Sequence, residues 1–207
     1  MPNGIRWIPN EEIQQHAEEF LSQYWDDTLP VDVEYIAEYC LKISVLPLPG
    51  LKANIEGDGF ITRDFKEIHL DFDQHAVRQR FTVAHELGHF VLHKEFIESL
   101  PATPDIQAWK TLYASLPEQQ LNWMEYQAYE FAGCLLVPQH HLQHTFDVLL
   151  PEMDALSNQA RQAGFRRHQY IDRLADWAAQ RIARTFEVSP QVIDKRLHKT
   201  GLIADIP

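Results

Sequence analysis

The chain has 207 residues, of which 45% are hydrophobic and 23% charged, with a formal net charge of −12. This is enough ordinary globular sequence to bury a core, and it excludes a disordered or collagen-like chain. No run approaches the roughly 18 apolar residues of a membrane span.

The opening MPNGIRWIPNEEIQQHAEEF has no basic n-region and no apolar h-region, so no secretion signal is read there. The two cysteines, Cys40 and Cys134, sit in apolar helical patterns and read as reduced core residues. No C-x-x-C or Cys/His cluster of structural zinc type accompanies them. A cytoplasmic protein is expected. The charge is uneven: residues 1–160 carry 9 Lys and Arg against 25 Asp and Glu, a balance of −16. Residues 161–201 carry 9 against 4, a balance of +5.

In chain order, Asn10 is placed to cap a first helix, NEEIQQHAEEFLSQYW, with Ile13, Ala17, Phe20, Leu21 and Tyr24 on one face. After Pro30, VDVEYIAEYCLKI reads as a second helix. ISVLPLPGL reads as extended, broken by Pro47, Pro49 and Gly50. The segment NIEGDGFITRDFKEIHLDF predicts a small antiparallel sheet. Its turns fall at Gly57-Asp58-Gly59 and near Arg63-Asp64, and Ile68, Leu70 and Phe72 alternate against His69 and Asp71.

A helix follows from about Asp73 through QHAVRQRFTVAHELGHFVLHK. Residues 95–117 read as a proline-punctuated loop with a short helix around IQAWKTLY. Ser115 and Glu118 form an S-x-x-E capping pattern before LPEQQLNWMEYQAYEFAGCLLVP, a helix closed by Pro138. The remainder reads as helical to Leu202, broken near Pro151 and at Val188-Ser189-Pro190.

The stretch HELGHFVLHK carries the chemistry. Residues four apart on a helix project the same way, so His85 and His89 can offer two imidazole nitrogens to one metal ion. Glu86, about 100° further round, stands beside such an ion, placed to take a proton from the water it activates. Zinc suits two imidazoles, one carboxylate and an open fourth position. Phe81, Val83, Ala84, Leu87, Phe90 and Val91 make this helix apolar almost all round, so Glu86 is buried and needs compensation. Gly88 at mid-helix costs about 1 kcal/mol against alanine and points to a close approach by another element.

A third ligand is still required. Position 95 is Glu95 and position 92 is Leu92, which excludes the variant with a third histidine ten residues after the first and a glycine three before it. In LNWMEYQAYEFAGCLL, the residues Leu121, Met124, Ala128, Phe131, Ala132 and Leu135 define a buried face. Glu125 lies at its edge and can reach a cation, whereas Glu130 points away and reads as solvated. His93 reads as a supporting residue rather than a direct ligand.

RFTVAHELGHFVLH (80–93) and EYQAYEFAGCLLVP (125–138) resemble the ImmA/IrrE family of zinc-dependent endopeptidases, with fainter similarity in GDGFITRDFKEIHLDF and FEVSPQVIDKRLHKTGLI. The resemblance covers about residues 30–203. It implies an α+β, zincin-like fold: a small antiparallel sheet packed on the active-site helix, predominantly helical, with a helical C-terminal tail. Residues 1–150 would form the metallopeptidase domain with its N-terminal helices. Residues 151–207 would form a helical, helix-turn-helix-like segment packed on that core.

The resemblance also implies a Zn²⁺ cofactor, Glu125 as third ligand, and a protein substrate. In several members the substrate is a helix-turn-helix repressor. The gap from His89 to Glu125 is longer than in compact members, so residues 94–120 are expected to add a lid or substrate-binding piece. The expected mechanism uses His85, His89 and Glu125 for the metal and Glu86 as general base and acid, with a strand such as EIHLDF aligning the substrate by edge pairing. For the oxyanion, Tyr113, Tyr126, Tyr129, His140 and His141 are the candidates. The competing reading is a non-hydrolytic, zinc-stabilised regulatory or DNA-binding protein. Its warrant is the basic tail, whose second helix ends in Lys195, Arg196 and Lys199.

Overall fold

The computed structural model describes residues 4–51 and 58–207. The chain forms two compact units, Met1–Leu135 and Leu136–Pro207.

In the first unit, helix α1 (Asn10–Tyr24) buries Ile13, Ala17 and Phe20, as their spacing predicts. Its cap differs from the expectation. Pro9 occupies the N-cap position, while the Asn10 side chain accepts a hydrogen bond from the Tyr126 hydroxyl at 3.0 Å. The second predicted helix forms as α2 (Val33–Tyr35), capped by Asp32, and continues as a π-helical turn over Ile36–Cys40.

The strands are β1 (Ser44–Leu48), β2 (Gly59–Ile61) and β3 (Glu67–Asp71), in the order β1-β3-β2. β2 pairs antiparallel with β3, but β1 runs parallel to it, with Ser44 opposite Glu67 and Leu48 opposite Asp71. The small antiparallel sheet expected within NIEGDGFITRDFKEIHLDF is the β2–β3 pair, and the extended segment ISVLPLPGL adds β1 in parallel, which makes the sheet mixed. Only the β2–β3 pairing is local; β1 finds its partner through tertiary structure. The predicted turn at Gly57-Asp58-Gly59 lies partly outside the described residues.

β3 is central, so both of its edges are paired, and packing above and below the sheet buries side chains on both of its faces. His69 and Asp71, expected on a polar face, are buried with Ile68 and Leu70, whereas Phe72, past the strand end, is 59% exposed. The Phe60 ring stacks over His69 with centroids 4.8 Å apart, which accounts for that burial. The strand within EIHLDF accordingly has no free edge, which overturns the expectation that it pairs with substrate; β1 and β2 are the end strands.

Helix α3 (Ala76–Ser99) packs on β2, β3 and α2. Ile68, Leu70, Leu87, Ile97, Met124 and Phe131 are among the largest fully buried side chains. A short helix α4 (Ile106–Ala114) and a long one, α5 (Glu118–Leu136), follow. Ser115 does not open α5. It closes α4 as its C-cap and donates its hydroxyl to the Leu112 carbonyl at 2.6 Å. Asp105 caps α4 through the Ala108 N–H.

In the second unit, α6 (Gln139–Gln162) runs without a break through Pro151, where a boundary was expected. A proline inside a helix costs about 3 kcal/mol, but Leu142, Phe146, Met153 and Ser157 form one buried stripe on both sides of it. The chain turns instead at Gly164, whose φ of +86° suits glycine. Helix α7 (Ile171–Phe186) buries Leu174, Ala175, Ala178, Ala179, Ile182, Ala183 and Phe186. Helix α8 (Pro190–Lys199) starts after Ser189 with Pro190 in its first turn. The predicted break at Val188-Ser189-Pro190 is thus present. Among the described residues no helix is long and apolar enough to cross a membrane.

Candidate metal centre

Two glycines let three elements meet. A Cβ on Gly88 would stand 2.9 Å from the Ala128 Cα and 3.0 Å from its carbonyl oxygen, so α3 and α5 approach backbone to backbone. A Cβ on Gly59 would stand 2.4 Å from the Thr82 Cγ2 and 2.8 Å from the His69 carbonyl oxygen, so β2 is pressed onto α3 from another side. The close approach read from Gly88 is therefore present, and it carries Glu125 toward His85 and His89.

The side chains converge. The Nε2 atoms of His85 and His89 are 3.2 Å apart. Glu125 places Oε2 3.1 Å from His85 Nε2 and Oε1 3.6 Å from His89 Nε2. One ligand atom from each of the three lies within 4.8 Å of the others. Two ring nitrogens facing each other and a carboxylate are an arrangement that a cation between them stabilises, and the donor set of two imidazoles plus one carboxylate is one that zinc accepts.

Glu125 is half exposed to the cleft. Burial raises its pKa, but the His85 hydrogen bond, the nearby imidazoles and Tyr113 outweigh that and bring it down to about 2. It is a carboxylate at any working pH. Burial instead lowers the His85 pKa, yet its hydrogen bond to Glu125 and the charges of Glu86 and Glu125 leave it above the ordinary value. His89, deeper, is pushed well below the usual imidazole value by burial, and so is a neutral nitrogen donor.

The far side of His89 is equally organised. Its Nδ1 is 3.1 Å from His93 Nδ1, His93 Nε2 is 2.8 Å from Gln127 Oε1, and Gln127 Nε2 donates to the Arg6 carbonyl at 2.9 Å. One direction satisfies every member. His89 Nδ1–H donates to His93 Nδ1, and His93 Nε2–H donates to Gln127. His89 Nε2 then keeps its lone pair toward the cleft. Burial holds the His93 pKa down to about 4, which keeps that ring neutral. The supporting role expected for His93 matches this geometry.

Glu86 is 4% exposed. Burial pushes its carboxyl up to about 7, opposed by the charge of His85 and by a hydrogen bond from the Ile61 backbone N–H. Its compensation comes from the edge strand, a partner not readable from the helix pattern. Glu130, expected to be solvated, is 8% exposed. The C-terminal half of α5 is enclosed on all sides, with Phe131, Ala132, Cys134, Leu135 and Leu136 buried around it.

A cavity of about 610 Å³ opens over these groups, bounded by β2, α3, α4 and α5 and reached by His85, Glu86, His89, Tyr113, Glu125 and Tyr129. Of the five oxyanion candidates, only Tyr113 and Tyr129 line it. The Tyr113 hydroxyl donates to Glu125 Oε1 at 2.9 Å, and Tyr126 is turned to Asn10. His140 and His141 belong to the second unit. Lys110 and Trp109, also at this cavity, carried no recognisable signal in the sequence beyond lying in the long gap between His89 and Glu125.

No curated protein matches the sequence. A solved Mycobacterium tuberculosis transcriptional regulator is similar in fold, with a TM-score of 0.51 at 16% identity over 92% of this chain and 47% of that one. This chain thus spans about half the length of that protein. A family profile described as the IrrE N-terminal-like domain of the M78 peptidases matches residues 39–198. With most of its length matched, the chain belongs to the M78 peptidase family and carries a domain of metallopeptidase type.

Proposed function

We propose that this protein is a zinc-dependent endopeptidase in which His85, His89 and Glu125 hold the metal and Glu86 moves the protons. The observation that carries this is the convergence of the two Nε2 atoms and the Glu125 carboxylate beside a buried Glu86. Bound by that donor set, zinc supplies Lewis acidity, activating water and polarising a peptide carbonyl.

The chain's own residues account for the rest. Glu86, with its carboxyl near 7, is suited to accept a proton at neutral pH and to return it to the leaving amine. The Ile61 N–H anchors that carboxylate. Tyr113 fixes the Glu125 carboxylate through its hydroxyl. The His93–Gln127–Arg6 chain fixes the ring of His89. Substrate alignment falls to β2. Phe60 is spent on the ladder with His69, so the backbone groups of Gly59 and the carbonyl of Ile61, whose N–H is held by Glu86, face away from β3, where an extended peptide can pair once that carbonyl is released.

The substrate is a protein, and a helix-turn-helix repressor is the class the family resemblance favours. We place the reaction in the cytoplasm, consistent with Cys40 and Cys134 forming no disulfide. The basic tail offers less to DNA than its sequence promised, because Arg196, one of the three cations ending α8, is buried.

Elemental analysis of wild type, Glu125→Ala and Glu86→Gln, with cleavage assays of each, tests the proposal. The expected result is about one zinc per chain in wild type and in Glu86→Gln, little in Glu125→Ala, and cleavage reduced roughly 10²-fold or more in Glu86→Gln. A wild type that takes up no zinc, or a Glu86→Gln variant that cleaves normally, would overturn it. Salt-dependent DNA retention indifferent to Glu86 would then favour the regulatory reading.

A further inference from the structure

Helix α4 lies in the long gap between His89 and Glu125 and makes three separate contacts with the cleft. The Trp109 indole N–H donates to the Ile61 carbonyl at 3.3 Å. The Lys110 ammonium sits 4.5 Å from the centroid of the Phe60 ring. The Tyr113 hydroxyl reaches Glu125. Residues 109, 110 and 113 share one side of a helix, so a single rigid displacement of α4 breaks all three contacts together.

The contact with Ile61 has a specific consequence. In the β2–β3 ladder the Thr62 N–H donates to the Glu67 carbonyl and the Asp71 N–H donates to the Asp58 carbonyl, so Phe60 is the inward residue and Ile61 the outward one. The outward Ile61 N–H is taken by Glu86, and its carbonyl by Trp109. A peptide strand laid along β2 needs that carbonyl. Trp109, 5% exposed, is also the one buried side chain of α4 among those described. A nine-residue helix is too short to be stable alone, so its position depends heavily on this anchor.

We infer that α4 is a self-inhibitory latch: Trp109 holds the edge-strand carbonyl that an extended substrate must pair with, and release of α4 opens the cleft. This rests on the metallopeptidase reading of the same site. A segment that binds must offer its own backbone N–H to Ile61, which selects extended chain over helix.

The test uses zinc-loaded full-length protein carrying Trp109→Phe, which keeps a ring but removes the indole N–H, and Lys110→Ala, which removes the second contact without touching the proposed ligands. Two rates are read: zinc transfer to a chromogenic chelator, and cleavage of fluorescein-labelled casein as an unstructured substrate. Both are expected to rise roughly 3- to 10-fold in each variant, the worth of one hydrogen bond or cation–π contact, with zinc stoichiometry unchanged. If Trp109→Phe fails to fold, Lys110→Ala decides. Zinc-bound variants that match wild type in both rates, while Glu86→Gln is inactive, overturn the latch and leave the peptidase standing. A wild type without zinc, or an active Glu86→Gln, overturns the peptidase reading and the latch with it.

Discussion

Replacing Gly88 by alanine sets two known effects against each other at the crossing of α3 and α5. Helix propensity favours alanine by about 1 kcal/mol. The new methyl would stand 2.9 Å from the Ala128 Cα, 3.0 Å from its carbonyl oxygen and 3.3 Å from its Cβ. Two of those atoms are backbone, so no rotamer change relieves the overlap. The helices must part by roughly 0.5 Å to restore ordinary contact. Overpacking of this kind costs about 1–3 kcal/mol, leaving the variant less stable by up to roughly 2 kcal/mol after the propensity gain.

The effect on the centre is larger. Glu125 sits one turn before Ala128 on α5 and retreats with it, whereas metal sites tolerate only about 0.2 Å of ligand displacement. Zinc affinity is therefore expected to fall at least roughly tenfold. Urea unfolding of the metal-free protein reads the stability, and competition with a chromogenic chelator reads the affinity. A variant about 1 kcal/mol more stable than wild type, with unchanged zinc affinity, would refute the argument, because propensity would then act alone and the helices could not be in contact at that point.

Further outcomes follow from the surrounding groups. His93→Ala removes the acceptor of His89 Nδ1 and the donor to Gln127, and is expected to weaken zinc binding roughly 10- to 100-fold; wild-type affinity by the same competition assay would show that the relay does not orient His89. Glu34 has its pKa raised by burial, despite the opposing charge of Arg80. The folded state therefore holds that proton more tightly than the unfolded state, and stability falls as pH rises through the raised value. Glu34→Gln should accordingly raise the thermal midpoint at pH 7, by no more than about 3 °C, and the gain should vanish below the ordinary carboxylate range; a lower midpoint at pH 7 contradicts the sign.

Local pattern carried much of this protein. The spacing of His85, Glu86 and His89 on a helix apolar all round, the face of α5 that holds Glu125, and the cost of Gly88 each follow from 3.6 residues per turn and from the expense of burying charge. These are properties of short segments, legible without knowing what packs where. Four features were not of that kind. The parallel pairing of β1 with β3 joins residues far apart in sequence, and it makes β3 the centre and β2 the edge. The burial of Glu130 and the continuity of α6 through Pro151 depend on neighbours that enclose them, which no propensity reports. The contact of Trp109 with Ile61 depends on which strand is left at the edge, a choice made only when the sheet assembles. The sequence by itself determined which side chains the candidate centre offers, because residue type and helical period are local. Tertiary structure alone decided what surrounds it, because a sheet edge and a cleft exist only between elements.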